Sequence, residues 1–222
     1  MKPFIINDIE VFVDEVEKYI QVNDISEKDL ARLWEYLQMH CHGYELVLCF
    51  RDAAAPVDTL AVIGAEVLED CLTMKATQNE FIPYPCNDMT PLEKSDFAEF
   101  SVLHDKVNPE CGGTSQRILS KWDNWRVFLL RKKSSNEIIG YSIIHVNLRD
   151  AAMGEIFCVW ASSSTHRKAM LSAATQCAFQ NGKEVIVYMV DRDNANEYEA
   201  ALAVGYQEAG YYVGYRVDIR PI

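Results

Sequence analysis

No run of about 18 apolar residues occurs anywhere in the 222-residue sequence, so no membrane-spanning helix is expected. The opening MKPFIINDIEVFVDEVEKY carries acids from Asp8 onward and lacks the unbroken apolar core of a secretory signal. No C-x-x-C pair is present either. The seven cysteines (Cys41, Cys49, Cys71, Cys86, Cys111, Cys158 and Cys177) are odd in number and scattered. That pattern excludes a paired disulfide framework and reads as reduced thiols in a cytoplasmic protein. Cys41-His42 stands beside His40, but no second ligand pair follows at finger spacing, so no metal site is expected. Basic residues are scarce: 21 Lys+Arg face 33 Asp+Glu, a net charge of −12. A general nucleic-acid binder needs a dense cationic face to displace phosphate counterions, and this composition argues against one.

The rest of the composition is that of an ordinary globular chain, with 49% apolar and 24% charged residues. Its length fits one large domain or two small ones. The charge is unevenly shared. Residues 1–110 carry 8 basic and 22 acidic side chains, a net of −14, whereas 111–222 carry 13 and 11, a net of +2. Either the first half presents a solvated acidic face, or that face attracts a cationic substrate or partner. A phosphate-bearing ligand belongs with the second half. Pro83, Pro85, Pro91, Asn108-Pro109 and Cys111-Gly112-Gly113 mark a break-rich stretch between the two.

Periodicity predicts a helix over 5–20, from Ile9, Phe12, Val13, Val16 and Ile20 at spacings of three and four. Ser26-Glu27-Lys28-Asp29 opens a second helix with Leu30, Leu33, Trp34 and Leu37 as its buried stripe. Strands are expected at 44–50 and 60–68, with a short one at 72–76. Residues 81–86 read as extended, and Thr90-Pro91-Leu92-Glu93 reads as the start of a helix running to Val107. A short helix follows at 115–121, then a hairpin of 125–131 and 137–147, and a strand at 154–161. Ser164 or Thr165 caps a helix to Gln180, stopped by Asn181-Gly182. A strand at 184–190, a helix at 194–204 and a pair of short aromatic strands at 205–216 complete the chain. This order predicts an α+β fold, a mixed and mostly antiparallel sheet with flanking helices. Its one parallel pair, 154–161 with 184–190, straddles the helix at 165–180. Such neighbours splay at their carboxyl ends, where a ligand commonly enters.

The ordered set over roughly 80–217 resembles the GNAT superfamily of acyl-CoA-dependent N-acyltransferases. Four segments carry the resemblance. Trp125-Arg-Val-Phe-Leu-Leu-Arg, a turn and Glu137-Ile-Ile-Gly140-Tyr-Ser-Ile-Ile are similar to that family's second and third strands. Glu155-Ile-Phe-Cys-Val-Trp-Ala is similar to the fourth. Thr165-His-Arg-Lys-Ala-Met-Leu with its helix resembles the pyrophosphate loop, and Asn194 with Gly205-Tyr206 eleven residues on resembles the late Asn…Gly-Phe element. The chain departs from the family in two places. The family loop reads Arg/Gln-x-x-Gly-x-Gly/Ala, whereas 162–169 contains no glycine and Ala169 and Leu171 fall where glycines would stand. The family's Tyr general acid, four residues before the Gly-Phe pair, is matched by Ala201.

The resemblance implies an N-acyltransferase that uses acetyl-CoA as co-substrate and no metal. Glu155 is implied as the base that accepts the amine's proton, and Tyr198, three residues before Ala201, as a substitute acid. Backbone near Val159 and Ala161 would polarise the thioester carbonyl. Thr165, His166, Arg167, Lys168 and Ala169 would hold the diphosphate at the helix start, and Asn194 would hold pantetheine or cap its own helix. The implied partner is a small cationic amine or a peptide amine, with neither nucleic acid nor membrane involved and a homodimer left open. The alternative is a GNAT-shaped protein that binds or regulates without turnover, as Ala201 and the missing glycines allow. On this division, residues 79–222 form the acyltransferase domain and 1–78 an acidic N-terminal part. In that part Leu60-Ala-Val-Ile-Gly64, compared with Ile138-Ile-Gly140, offers a half-GNAT repeat.

Overall fold

A computed structural model describes residues 2–15, 18–85, 88–109, 114–146 and 151–220. Cys86, the Cys111-Gly112-Gly113 break and the expected hairpin end at Asn147 lie outside the described residues. Two compact units are present: Met1–Leu72 with Gly210–Ile222, and Thr73–Ala209. The chain passes between them along two strands, β5 (Glu66–Thr77) and β11 (Gln207–Asp218).

The first unit opens with β1 (Lys2–Ile6), β2 (Ile9–Asp14) and β3 (Tyr19–Asn23) where the spacing pattern predicts a helix. Asn7 and Asp8 take positive φ, 49° and 67°, and close a two-residue turn in which Ile6 faces Ile9. Asn and Asp tolerate that conformation, and the resulting twist suits a hairpin better than a helix cap does. The β-branched run Ile9, Val11, Val13 then alternates as a strand does. Helix α1 (Glu27–His40) forms as expected, capped by Ser26, and buries Leu30, Leu33 and Leu37. Strand β4 (Glu45–Arg51) runs parallel to β3 and antiparallel to the Tyr212–Asp218 stretch of β11, so the order in this unit is β1-β2-β3-β4-β11.

The strand expected at 60–68 is instead a helix, α2 (Val57–Ile63), followed by β5. Gly64, at φ 75°, ends that helix, and the N–H of Ala65 donates to Leu60 O at 2.9 Å. The aliphatic pair before Gly64 is therefore a helix C-terminus and not a strand. Val11, Ile20, Leu30, Leu33, Leu46, Phe50 and Leu60 meet in this unit's core.

In the second unit the helix expected from Thr90 starts later. Met89–Pro91 is an edge strand, β6, that pairs with β7 (Trp125–Arg131), and α3 spans Phe97–Val107. Proline lacks a donor, so an edge strand can hold it as readily as a first helical turn. Helix α4 (Ser115–Ser120) and the hairpin of β7 with β8 (Ile138–His145) match the expectation. Strand β9 (Met153–Ala161) lies antiparallel to β8, α5 (Ser164–Gln180) crosses over, and β10 (Val185–Asp191) returns parallel to β9. Strand order here is β10-β9-β8-β7-β6. Helix α6 (Ala195–Ala203) follows β10, and 207–218 is one long strand, β11, where two short ones were expected.

Two glycines let α5 sit close on the sheet. A Cβ on Gly140 would stand 3.3 Å from Met170 Cγ, and one on Gly154 would stand 3.5 Å from Ala178 Cβ of α5 and 3.0 Å from Ile186 Cδ1 of β10. On α5 itself Ala169, Met170, Leu171, Ala174 and Ala178 supply a small-residue buried face. The other sheet face packs on α3 and α4 through Phe100, Ile118, Leu129, Tyr141 and Ile143. There His104, fully buried, meets the Tyr141 hydroxyl through Nδ1 at 2.8 Å, which satisfies a polar pair inside the core.

Candidate active site

The parallel pair of the second unit opens at its carboxyl end. Residues Met153 to Ile156 of β9 pair with Val185 to Tyr188 of β10, and there the pairing stops, although β9 runs on to Ala161 and β10 to Asp191. A bulge helps to separate them: Ile143 faces Cys158 and Ile144 faces Ile156, so Phe157 is one residue too many for β8. The β10-facing edge of β9 beyond Ile156 thus carries backbone groups with no partner on β10. Val159 and Ala161 lie on this stretch, where carbonyl polarisation was expected, at 3% and 7% exposure.

Helix α5 begins at the mouth of this opening. The cap is Ser163 and not Ser164 or Thr165: its side chain accepts from the His166 N–H at 3.2 Å. Ser163 has the extended φ and ψ that a cap requires, whereas Ser164 and Thr165 already belong to the helix. One early N–H is thereby occupied, and Arg167 N–H donates to Ser163 O. The N–H groups of the exposed Ser164 and Thr165 remain available at the positive end of a 17-residue helix.

Beside this start lies a cavity of about 590 Å³ lined by Arg131, Lys132, Lys133, Ser162 and His166 and also by the acids Asp88 and Glu137. Arg131 is held by Asp96 at 3.2 Å and Glu99 at 2.8 Å, and Lys133 by Asp88 at 3.1 Å. His166 Nδ1 is 3.3 Å from Ser162 Oγ. Among the described residues Lys132 has no ion pair, so its ammonium is the uncommitted positive charge of the cavity, beside a His166 ring bonded to Ser162.

The remaining expected residues fall as follows. Lys168 is half-buried and Ala169 buried. Arg167 turns inward: its Nε is buried without a hydrogen-bond partner, and its charge acts on Glu197 of α6. Asn194 caps α6, its Oδ1 accepting from Glu197 N at 3.2 Å. Tyr198 donates its hydroxyl to Glu208 at 2.5 Å, a partner that raises its pKa. Ala201 is fully buried. Glu155 pairs across the sheet with His145, its Oε2 3.8 Å from His145 Nδ1. His145 stacks on Trp125 at 4.6 Å, and Trp125 meets Phe157 edge-on at 5.2 Å, so the Glu155 carboxylate borders an aromatic wall.

Two groups were missed by the sequence reading. Tyr188, the last residue of β10 that pairs with β9, is 2% exposed, and its hydroxyl faces the Glu197 carboxylate. Burial and the neighbouring Glu197 carboxylate push its pKa well up, with a smaller contribution from Cys158. Burial also pushes the Glu197 carboxyl up to about 7, against the opposing pull of Arg167 and Tyr188. The available signal was Glu197 at the third position of a capped helix, which reads simply as a capping residue.

Topology and opening together define the GNAT fold. Solved structures with this fold include a tandem GNAT protein from the clavulanic acid biosynthesis pathway, at 10% identity over 96% of this chain and 79% of that one, TM-score 0.67. A GCN5-related N-acetyltransferase from Sphaerobacter thermophilus is similar at 18% identity over 96% and 76%, TM-score 0.62. A functionally unknown conserved protein from Staphylococcus epidermidis is similar at 9% identity over 95% and 90%, TM-score 0.68. No family model and no curated protein matches the sequence. No helix among the described residues is long and apolar enough to cross a membrane.

Proposed function

We propose that the second unit transfers an acyl group, acetyl in the first instance, from acyl-CoA to a primary amine of a small cationic compound or peptide. The observation that carries this reading is the arrest of β9–β10 pairing at Ile156 and Tyr188, on the two parallel strands that α5 connects. The opened edge of β9 can take an extended pantetheine arm as an added strand takes its neighbour. The residues fit the rest of the co-substrate. Ser164 and Thr165 N–H groups, with Lys132 and His166 beside them, supply donors and positive charge for a diphosphate without any glycine in the loop. Glu155 stands at the base of the opening and would accept the amine's proton directly or through water. The carbon–nitrogen bond forms as the carbon–sulfur bond breaks, and its electron pair leaves on sulfur as thiolate.

The first unit repeats the element order of the second. Three antiparallel strands, a helix, a parallel strand, a second helix and a further strand occur as β1 to β5 and again as β7 to β11. We read it as a repeat of the same fold that does not bind acyl-CoA. The acidic first half supports a cationic acceptor.

Calorimetric titration with acetyl-CoA, followed by assay of thiol release with a panel of amines, tests the reading. Binding at one site with amine-dependent thiol release supports it. Binding without release favours a non-catalytic binding protein, to which the buried Ala201 and the Ser163-capped His166 N–H point. Absence of both signals refutes the two alike.

A further inference from the structure

A second, smaller cavity lies at the β6–β7 edge of the second unit's sheet, two strands away from β9. Strand β6 pairs with β7 only as far as Pro91 and Phe128, and the Leu92 N–H adds a last bond to Val127 O at 2.8 Å. Before that point no strand flanks the outer edge of β7 among the described residues. Helix α4 and the turn Trp122–Asn124 approach there instead, and a cavity of about 210 Å³ remains between them and the strand. Leu92, Ile118, Trp122, Trp125 and Val127 give it apolar walls, and Arg126 is the one charged residue that lines it.

Two polar groups of this lining lack the partners that their chemistry asks for. Trp125 is 5% exposed, and its Nε1 is buried with no hydrogen-bond partner among the described residues. An indole nitrogen can only donate, and a buried donor left unmet is costly, so an acceptor is wanted there. The ring itself is well fixed, stacked on His145 at 4.6 Å and edge-on to Phe157 at 5.2 Å. Arg126 is held beside it: Nη1 donates to Trp125 O at 2.8 Å and to Asp123 O at 3.4 Å. Both of those acceptors are neutral carbonyls. Among the described residues no carboxylate pairs with Arg126, whereas Arg131 at the other end of the same strand holds two.

We infer that this cavity binds a small ring carboxylate, an aryl or cycloalkyl acid with a short arm. The ring packs among Leu92, Ile118, Trp122 and Val127, and the carboxylate accepts from the Trp125 indole N–H and faces the Arg126 charge. The size is sufficient, since an apolar cavity of about 150 Å³ already takes benzene. A neutral ring would leave the Arg126 charge unanswered, and a phosphate or dicarboxylate would lose its hydration against apolar walls. This inference does not rest on the acyl-transfer reading, which assigns the cavity no part.

The test uses the full chain with 3-phenylpropionate and, as its uncharged counterpart, 3-phenylpropanol. Calorimetry gives affinity and stoichiometry, and tryptophan emission reports on Trp122 and Trp125 at the cavity wall. One acid molecule should bind per chain with a Kd below about 1 mM, and at low ionic strength about tenfold more tightly than the alcohol. Trp125→Phe keeps an aromatic ring but removes the N–H, and should weaken the acid about 10-fold. Arg126→Gln, at an exposed position, should weaken the acid about 3- to 10-fold and leave the alcohol within about twofold; it decides the matter if Trp125→Phe does not fold. No saturable binding of the acid up to about 10 mM overturns the inference. An alcohol that binds as tightly as the acid overturns it too, as does binding of the acid that the variants leave unchanged. Acetyl-CoA titration is read separately, so failure here and failure of the acyl-transfer reading are distinguishable.

Discussion

Glu197 makes a prediction that needs neither substrate nor acceptor. Its carboxyl has a pKa of about 7 in the folded chain against an ordinary value of 4.5, with burial as the chief cause. A raised carboxyl pKa means that the folded state binds a proton more tightly than the unfolded state does. The associated stability is fully present below about pH 4.5 and is lost as pH rises through about 7. A shift of that size at about 1.36 kcal/mol per unit comes to about 3 kcal/mol, which partial exposure of the side chain reduces to about 2 to 3 kcal/mol. Glutamine keeps the shape and stays neutral throughout. Glu197→Gln should therefore match the wild type near pH 4.5 and exceed it by about 2 kcal/mol or more at pH 8. Urea unfolding followed by tryptophan emission at half-unit steps of pH measures both proteins. The difference between them isolates this one carboxyl from the other acids. A difference that stays flat from pH 4.5 to 8 refutes the raised pKa; a difference that shrinks as pH rises refutes the sign.

Glu155→Gln should slow acyl transfer at neutral pH while leaving acetyl-CoA affinity intact, and an unchanged pH–rate profile would remove Glu155 from the proton path. Lys132→Glu should weaken acetyl-CoA binding about 3- to 10-fold at low ionic strength, by calorimetry, with the deficit shrinking in 0.5 M salt as screening shortens to a few ångströms. An equal deficit at both salts would mean that Lys132 acts otherwise than by charge. Gly205→Ala should cost more than about 3 kcal/mol, because Gly205 has φ 95° and an added Cβ would fall 2.0 Å from Glu80 O; a melting temperature within a few degrees of wild type would refute this. Tyr206→Phe should cost about 1 kcal/mol by the same assay. It removes the 2.6 Å bond to Thr175, whose hydroxyl keeps a second bond to Leu171 O.

The sequence was most legible where a local signal and the buried face agreed. Ser26 with its leucine stripe, the 125–131 and 138–145 hairpin, and the Ala-rich α5 between Ser163 and Gly182 all form at or within a residue or two of the expected places. It misled where one residue type serves two structures. The 5–20 stretch reads as a helix by its apolar spacing, but Asn7-Asp8 closes a hairpin, and with that the first three strands were hidden. Leu60 to Gly64 reads as a strand ending in glycine but is a helix stop. The suggested internal match therefore rested on the wrong elements. Strand β4 (Glu45–Arg51) follows a helix and pairs parallel, as β10 does. At the site, Glu155 and Asn194 could be picked out because they resemble a pattern. The Tyr188–Glu197 pair could not, since nothing in a sequence shows that a tyrosine on a strand and an acid on a helix meet.

The two parallel pairs explain why a single fold repeated in one chain would bind acyl-CoA in only one copy. In the first unit β3 and β4 pair from Tyr19 and Glu45 through Asn23 and Cys49. Beyond that, Asp24 continues the closure: its N–H donates to Cys49 O, and its carboxylate accepts the N–H of Arg51, both at 2.8 Å. These two bonds occupy backbone groups that an added strand would otherwise need. The helix that follows starts with Ser26, Glu27 and Asp29, and the Ser26 hydroxyl is bonded to Asp29. Two carboxylates at that helix start favour the dipole but repel a diphosphate. In the second unit the corresponding strands part at Ile156 and Tyr188, and the corresponding helix has no acid in its first turn and His166, Arg167 and Lys168 in sequence. A basic helix start opposes the dipole unless an anion sits there, whereas an acidic one is complete without a ligand. The charge asymmetry of the two halves, −14 against +2, reaches down to these two helix starts. Asp24 closes one gap and the Phe157 bulge accompanies the opening of the other, which is why the proposed acyl transfer is assigned to the second unit.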